Sequence, residues 1–441
     1  MTGTATTAST MMVHPSAFTV LQPYMPVFYA SFLVALVLTP LMRHLAIKNG
    51  VVDEPDFKRK VHAHPIAYLG GIATFMGWMA GIVTSYFIHP MQIHSTSLTA
   101  VQVPPGVIAG AMVIVATGVF DDFFGLSPRY KIFGQFLAGG LLFFGNLDQL
   151  GYIGARLDMA NMVVNPLERH QLIGVVQHWA LYPTVATMFS ALMVIFIIIA
   201  ACNATNLLDG LDGLCSGVTG IMAIGYLILA VHLATANLTT PGVAPVDPVR
   251  ISMSLALLGA VLGFLPFNFN PASIFMGDTG SMFLGYVCGT MIVMFAHDGI
   301  ARWFLAAVVI FGLPMLDTLL AIVRRKLNGR PVFSPDSGHF HHFLVRRGLS
   351  VRKAVLVSYG LTAMFVSFAL VIVIIPTQLA LGIYLVLFGW LVVAAFKMGM
   401  IFQQGSVPAK KSIIPPVTPR IEPPTPASQP PVVLPLEKQP G

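Results

Sequence analysis

The sequence carries little charge. Lys, Arg, Asp and Glu together make up 9% of its 441 residues, whereas apolar residues make up 56% and the mean hydropathy is +0.80. A soluble globular protein carries roughly 25% charged residues, so this composition excludes an ordinary soluble domain. Apolar runs of nearly bilayer-spanning length recur along the chain, which predicts an all-α, polytopic integral membrane protein.

Cysteine is scarce too, and the N-terminus lacks basic residues. Cys202, Cys215 and Cys288 form no CxxC pair, and an odd, scattered set argues against a disulfide framework. The first 18 residues contain no Lys or Arg, so they lack the basic start of a secretory signal and are expected to remain in the mature chain.

Composition divides the chain into three parts. Residues 1–24 form a polar N-terminal segment and residues 25–400 a multi-span domain. Residues 401–441 are a Pro-rich tail that cannot bury a core and is predicted to be disordered.

The multi-span domain contains eleven apolar segments, and we therefore expect about eleven transmembrane helices. Several segments are shorter than the roughly 20 residues of a full span, but polar residues at their ends can continue the helix. The segments are Val27–Leu41, Ile66–Ile88, Val107–Phe120, Ile132–Phe144, Tyr182–Ala201, Val218–Ala234, Ile251–Phe267, Met282–Phe295, Trp303–Ile322, Ala354–Ile375 and Leu379–Phe396.

The positions of the basic residues predict the orientation of these segments. If the N-terminus lies outside and the C-terminus is cytoplasmic, 20 of the 24 Lys and Arg residues fall in inside loops. This asymmetry is what the positive-inside rule requires. The high pI of about 9.4 follows from the same loop pattern, so it does not indicate nucleic-acid binding. The outside loops contain only Arg156, Arg169, Arg250 and Arg302.

Five carboxylates come at the ends of apolar segments on the predicted inside face. Crowded carboxylates raise one another's pKa, and a hard divalent cation such as Mg²⁺ relieves this by taking carboxylate oxygens together with substrate phosphates. An inert, solvated helix end would explain the adjacent Asp pair alone, but it does not explain five such residues on one face. The five are Asp121, Asp122, Asp209, Asp212 and Asp278.

Basic and histidine residues lie in the same predicted plane, and this mixture suits phosphate ligands. Positive-inside bias is the alternative explanation for the lysines and arginines. The "HFHH" segment could also suggest zinc, but adjacent His341 and His342 do not easily ligate one ion. Asp317 lies inside an apolar run and is either functional or a helix–helix hydrogen-bonding residue.

Four motifs together resemble the polyprenyl-phosphate N-acetylhexosamine-1-phosphate transferases, over roughly residues 25–400 and in the same order. "DDFFGLSPRYK" resembles that family's DDxxG segment, and "NATNLLDGLDGL" its NxxNxxDGxDGL loop. "FMGDTGSMFLG" matches FMGDxGS, and "SPDSGHFHH" resembles the PDxxHxHH loop of the branch that uses UDP-N-acetylglucosamine.

The resemblance implies a Mg²⁺-dependent reaction, with Mn²⁺ as a substitute, in which a polyprenyl phosphate attacks the β-phosphate of a UDP-sugar and UMP is released. It implies that Asp278 and Asn206 hold the metal, and that Asp121 and Asp122 are catalytic, as base, orienting group or covalent nucleophile. The implied substrate-binding residues are Lys131 for phosphate, Phe275 stacked on uracil, Asp212 on the nucleotide, and also Asp209, Asn268, Lys60, His339, His341 and His342.

Two departures from the family pattern narrow the expectation. Tyr68 stands where the family often has Arg, so no phosphate role is expected there. Gly125 and the sequence "HFHH" differ from the corresponding motifs of the branch that uses UDP-muramoyl-pentapeptide. The expected substrates are UDP-N-acetylglucosamine and undecaprenyl phosphate. Another UDP-amino sugar and the UDP-muramoyl-pentapeptide remain alternatives.

The resemblance places the protein in the bacterial cytoplasmic membrane, with its active site on the cytoplasmic face, and leaves a homodimer open. The lipid phosphate is mostly ionised at pH 7, because its second pKa is near ~6. Direct attack is therefore favoured over a covalent enzyme intermediate. An ion-coupled transporter and a non-catalytic scaffold are the rival classes. The one-sided motifs argue against alternating access to a midplane site.

Overall fold

The computed structural model describes a helical chain over residues 16–53, 65–88, 102–145, 182–237, 247–296, 301–329, 331 and 338–397. Lys60, the Pro-rich tail and most of the N-terminal segment lie outside these residues. The helices are α1 (Ala17–Leu21), α2 (Met25–Lys48), α3 (Gly70–Ser85), α4 (Pro105–Phe124), α5 (Pro128–Phe144), α6 (Tyr182–Leu208), α7 (Leu214–Asn237), α8 (Asp247–Asn268), α9 (Gly277–Met294), α10 (Ala301–Ile310), α11 (Gly312–Leu327), α12 (Phe340–Arg346), α13 (Val351–Ile374) and α14 (Thr377–Lys397).

Six of the described helices are long and apolar enough to cross a membrane. A seventh span is present if α10 and α11, which meet at an angle of 74°, are counted as one. The prediction of a helical, polytopic membrane protein is confirmed at this level. The count of eleven spans and the orientation of the termini stay predictions.

Two of the predicted apolar segments differ in detail from the structure. Trp303–Ile322 is broken at Phe311, where α10 ends and α11 begins. Ile66–Ile88 does not start as a helix, because Ile66–Ala67 forms strand β2, which pairs antiparallel with β1 (Val52–Asp53). Ala67 also bridges Ile274 in parallel. Backbone pairing therefore ties the chain before α3 to the chain before α9, which an apolar pattern alone does not reveal.

Helix α9 is the centre of the bundle, since nearly every one of its residues is buried. It packs against α3, α4 and α6. The approach of α4 is close enough that a Cβ on Gly118 would lie 2.3 Å from Thr279 Cα. Only glycine allows backbones to meet at that separation, a common device between membrane helices. Trp78 of α3 packs edge-on against Phe283 of α9 at 5.4 Å between ring centroids.

The helix ends near the polar loops follow ordinary local rules. Pro105 and Pro128 open α4 and α5, where a missing N–H costs nothing. Gly125 closes α4 in the left-handed conformation with φ +64°, and its N–H donates to the carbonyl of Asp121. The turn that follows brings the start of α5 back beside the end of α4, so Asp121 and Lys131 face each other.

Candidate active site

The ends of α4, α5, α6 and α9 meet at a cluster of charged and amide side chains. Asp278, in the first turn of α9, is its centre. Lys131 Nζ of α5 donates to Asp278 Oδ2 and also lies 2.5 Å from Asp121 Oδ2 of α4. The Lys131 ammonium thus bridges two carboxylates, which places a positive charge where the sequence predicted mutual repulsion.

Asn206 of α6 completes the cluster. Its amide Nδ2 donates to Asp278 Oδ1 and to the Ser281 hydroxyl, each at 2.9 Å. The four predicted residues Asp121, Lys131, Asn206 and Asp278 are therefore brought together from four helices. Ser281 is a contact that the motifs did not single out.

Asp122 faces a different way from Asp121. Its carboxylate accepts hydrogen bonds from the backbone N–H of Asp278 at 2.8 Å and of Thr279 at 3.1 Å, and from the Thr279 hydroxyl at 2.6 Å. It therefore satisfies backbone donors at the start of α9 and meets its positive dipole end. Gly277, with φ +68°, allows the turn that presents these donors to Asp122.

Asp209 and Asp212 lie in the turn between α6 and α7, and they have different surroundings. Burial, together with the charges of Asp278, Asp122 and Asp212, raises the pKa of Asp209 to about 8. Asp212 Oδ2 instead accepts from Asn270 Nδ2 at 2.9 Å and from the Ala272 N–H at 3.0 Å. Asp212 thus joins this turn to the loop before α9.

Two further predicted residues lie in the loop before α9. Asn268 is buried, with its amide donating to the Ile274 carbonyl and accepting from the Ser216 hydroxyl at 2.8 Å. Phe275 is half-buried, and its ring meets the edge of Tyr68 at 6.1 Å between centroids. Burial raises the pKa of Tyr68, and its hydrogen bond to Asp53 raises it further. Tyr68 therefore remains a neutral phenol beside Phe275.

The histidine segment at the start of α12 is held by Asp317 of α11. Asp317 Oδ2 lies 2.9 Å from His339 Nδ1, and its Oδ1 accepts from the Phe340 N–H at 2.8 Å. Both carboxylate oxygens of Asp317 thus contact the segment that carries the histidines. These contacts are of the hydrogen-bonding kind, which is one of the two roles expected for Asp317 from the sequence.

His341 is the unusual member of this segment. It is 1% exposed, and neither ring nitrogen has a hydrogen-bond partner among the described residues. Its ring is tilted by 52° against that of His342, with 4.3 Å between ring centroids, and it lies against Gly210 of the α6–α7 turn. Burial, together with the neighbouring His342, lowers the pKa of His341 to about 3. The imidazole is therefore neutral and unsatisfied beside the Asp209 turn.

The donor set around Asp278 fits a hard cation that a phosphate ligand would complete. Within the described parts of the chain, no three His, Cys, Asp or Glu side chains form a group able to hold a metal by themselves. However, Mg²⁺ uses only one or two carboxylates and takes its other oxygens from water and phosphates. Asp278 and Asp121 offer carboxylates, and the Asn206 amide oxygen accepts nothing from any described residue.

Besides Ser281, sequence reasoning missed two residues that hold this site in place. Thr279 receives Asp122, and Tyr359 of α13 donates its hydroxyl to the Gly213 carbonyl at 2.5 Å, which fixes the α6–α7 turn. Thr279 lies within the quoted "GDTGS", so its neighbours could have signalled it. Tyr359 lies in an unremarkable apolar run and gives no such signal.

Comparison with known proteins identifies relatives of the chain. Residues 104–296 match the model of Glycosyl transferase family 4. The chain is 33% identical over 375 residues to the probable undecaprenyl-phosphate N-acetylglucosaminyl 1-phosphate transferase of Bacillus subtilis, covering 85% of this chain and 92% of that protein. It is 31% identical to the decaprenyl-phosphate N-acetylglucosaminephosphotransferase of Mycolicibacterium smegmatis, covering 78% and 85%.

A third relative, the phospho-N-acetylmuramoyl-pentapeptide-transferase of Moorella thermoacetica, is 37% identical over 172 residues, but the match covers only 38% of this chain and 46% of that protein. The similarities define a multi-pass membrane sugar-phosphate transferase. The chain belongs to glycosyl transferase family 4, among the polyprenyl-phosphate N-acetylhexosamine-1-phosphate transferases. The resemblance drawn from the motifs is confirmed.

Proposed function

We propose that this protein transfers N-acetylglucosamine 1-phosphate from UDP-N-acetylglucosamine to undecaprenyl phosphate, releasing UMP and starting an envelope glycan. A phosphate oxygen of the lipid forms a bond to the β-phosphorus of the donor. The bond from that phosphorus to the oxygen bridging the two donor phosphates breaks, and UMP leaves with that oxygen. The observation that carries the proposal is the meeting of Lys131, Asn206 and Asp121 around Asp278.

The main task of the site is to bring two anions together. Lys131 supplies a positive charge for the lipid phosphate and Asp121 orients that ammonium, because the two are already paired. The lipid phosphate is mostly ionised at pH 7, since its second pKa is near ~6, so a strong base is not needed. Asp121 takes any residual proton. Asp122, whose carboxylate accepts three hydrogen bonds from α9, positions Asp278 without contacting substrate.

Asp278 and Asn206 are the residues that would hold Mg²⁺, with Mn²⁺ as a substitute. When bound, the cation supplies charge neutralisation for the donor diphosphate. The surroundings of Asp209 also favour a bound cation, because burial and three neighbouring carboxylates raise the pKa of Asp209 to about 8. Asp209 favours its neutral form unless positive charge comes near.

The donor occupies the space between the Asp209 turn, Phe275 and the histidine segment. Phe275 stacks on uracil, with Tyr68 against its edge. Asp212 and Asn268 shape this side of the pocket through their bonds to the loop before α9. His341, buried with two unsatisfied nitrogens, contacts the sugar phosphate together with His342, and His339 is held in position by Asp317.

The test is a panel of UDP-sugars with purified protein, Mg²⁺ and undecaprenyl phosphate, with UMP and lipid-linked product as the measured quantities. UDP-N-acetylglucosamine is expected to have the highest kcat/KM. If another UDP-hexosamine or the UDP-muramoyl-pentapeptide has a kcat/KM about tenfold higher, a difference of about 1.4 kcal/mol, the proposed sugar is wrong. The proposed reaction type would still stand. Absence of UMP with every donor would refute the reaction itself.

We further propose that the N-terminus lies outside, that about eleven segments span the bacterial cytoplasmic membrane and that the site faces the cytoplasm. The native thiols at Cys202, Cys215 and Cys288 are buried, so an introduced cysteine gives a clear signal. A cysteine replacing exposed Phe87, at the far end of α3, should be labelled in intact cells by an impermeant maleimide, and one replacing Ser350 should not. Labelling at position 350 but not at position 87 would show that the orientation is the reverse of the proposed one.

A further inference from the structure

One helical turn below the Asp278 cluster lies a second, uncharged layer of polar contacts. Gln135 of α5 is fully buried. Its Oε1 accepts a hydrogen bond from Asn203 Nδ2 of α6 at 2.7 Å, and its Nε2 donates to Met282 Sδ of α9 at 3.5 Å. Asn203 Nδ2 also donates to the Ile199 carbonyl at 2.7 Å. None of these residues belongs to the charged cluster.

The two layers use the same three helices in the same register. Lys131 and Gln135 are four residues apart on α5, and Asp278 and Met282 are four residues apart on α9. Asn206 and Asn203 are three apart on α6. Residues spaced by three or four lie on one face of a helix, about one turn or 5.4 Å apart. The Lys131–Asp278 contact between α5 and α9 is therefore repeated below by the Gln135–Met282 contact. The lower layer also joins α5 directly to α6 through Gln135 and Asn203.

The uncharged layer is better suited than the charged one to set the helix register. Lys131 reaches Asp278 through a flexible four-carbon stem, so its ion pair tolerates movement of α5. The Gln135–Asn203 bond joins the fully buried amide of Gln135 to the partly buried amide of Asn203, and an unpaired buried amide is costly. Sliding or rotating α5 against α6 would break this bond before it broke the Lys131–Asp278 contact.

We propose, on the basis of the function proposed above, that Gln135 is a positioning residue for the transfer reaction. Through Asn203 it sets the height and rotation of α5 against α6, so that the Lys131 ammonium and the Asn206 amide reach Asp278 together. Gln135 contacts neither substrate. Its effect passes through Lys131.

The decisive test is a double-mutant cycle measured by UMP release. Gln135→Met keeps the volume and removes the amide, and should lower kcat about tenfold, or about 1.4 kcal/mol, with KM for the UDP-sugar nearly unchanged. In a Lys131→Ala background the same substitution should change kcat by less than about twofold, because the group it positions is gone. Leu142→Ala, on the same helix and equally buried, is the control. It should change kcat by the same factor whether Lys131 is present or replaced by Ala.

A length swap tests the hydrogen bond directly and guards against a poorly folded variant. Gln135→Asn should lose activity because the amide no longer reaches Asn203, and adding Asn203→Gln should restore most of it. The proposal is overturned if Gln135→Met has full activity, or if it lowers kcat equally with and without Lys131. It is also overturned if the double variant Gln135→Asn, Asn203→Gln is no more active than Gln135→Asn alone. If the wild type itself releases no UMP, the proposed function fails, which is a separate result.

Discussion

Asp122, in the last turn of α4, accepts hydrogen bonds from both the backbone N–H and the hydroxyl of Thr279, at 3.1 and 2.6 Å. Its neighbour Asp121 is paired with Lys131 instead. The two carboxylates that the sequence places side by side therefore serve different partners. One fixes the start of the helix that carries Asp278, and the other faces the ammonium at the candidate phosphate site.

Exchanging each member of the Asp pair for Asn should separate these roles. Asp122→Asn loses acceptors at the start of α9 and should lower the free energy of unfolding by about 1–3 kcal/mol. Asp121→Asn should unfold close to the wild type but turn over slowly, with residual activity that rises from pH 5 to 7 as the lipid phosphate, pKa near ~6, ionises unaided. Thermal unfolding in detergent and pH–rate profiles measure both. Equal unfolding temperatures for the two variants would contradict the assignment.

The same site allows a covalent aspartyl route, which makes a distinct prediction. If Asp121 were a nucleophile, wild-type protein would release a burst of UMP from the donor in the absence of lipid. Direct attack predicts no such burst. A rapid-quench measurement with the donor alone decides between the two.

Asp278→Asn should abolish turnover and leave the protein folded, because it removes a carboxylate that contacts both Lys131 and Asn206. We expect at least about a hundredfold loss of kcat, or about 2.7 kcal/mol. Asp317→Asn is the control, since its partner is His339 and its effect should be smaller. Full activity of the Asp278 variant at ordinary Mg²⁺ concentration would refute its role.

The pKa of Asp209, raised to about 8, predicts how stability depends on pH. The fold favours the neutral acid, so its contribution is fully present below the unfolded pKa of about 3.9 and is lost as pH rises to about 8. Asp209→Asn removes this loss. In chelator-containing buffer the variant should match the wild type near pH 4 and exceed it at pH 8 by at least about 1 kcal/mol, the worth of one pKa unit. A constant difference across pH would contradict the assignment.

His341 should respond in the opposite sense, because burial lowers its pKa to about 3. Its contribution is present above the unfolded pKa of about 6.5 and is lost as pH falls toward the folded value. At pH 5 the wild type should have lost about 2 kcal/mol relative to His341→Asn, at 1.36 kcal/mol per unit. Thermal unfolding at pH 7.5 and pH 5 measures this. His44→Asn, at an exposed position on α2, is the control and should not protect the protein.

The convergence of Asp121, Lys131, Asn206 and Asp278 could be predicted from the sequence, because one-sided motifs at helix ends and crowded carboxylates both point to a shared site. The division of labour between Asp121 and Asp122 could not. Adjacent residues on a helix point about 100° apart, and the pattern does not say which one faces the neighbouring helix. The partnership of Asp317 with His339 was equally hidden, since it depends on how α11 turns away from α10.

The apolar segments located the long helices for a simple reason, because burial in lipid demands apolar residues over a whole span. The break at Phe311 and the strand at Ile66–Ala67 lie inside such segments, where hydropathy stays high and gives no boundary. The Gln135–Asn203 hydrogen bond could not be predicted from the sequence either, because the partner of an amide in an apolar run is known only once the packing of the helices is known.

The position of α9 at the centre of the bundle has a consequence for biosynthesis. This helix carries Asp278 and is not among the six that are apolar enough to cross a membrane unaided. During synthesis, α9 therefore enters the membrane with less hydropathy of its own than those six helices have. Its retention depends on α3, α4 and α6, which are all made earlier in the chain and pack against it. We therefore expect the segment that bears the central carboxylate to be held in place by helices that are already inserted, rather than by lipid alone.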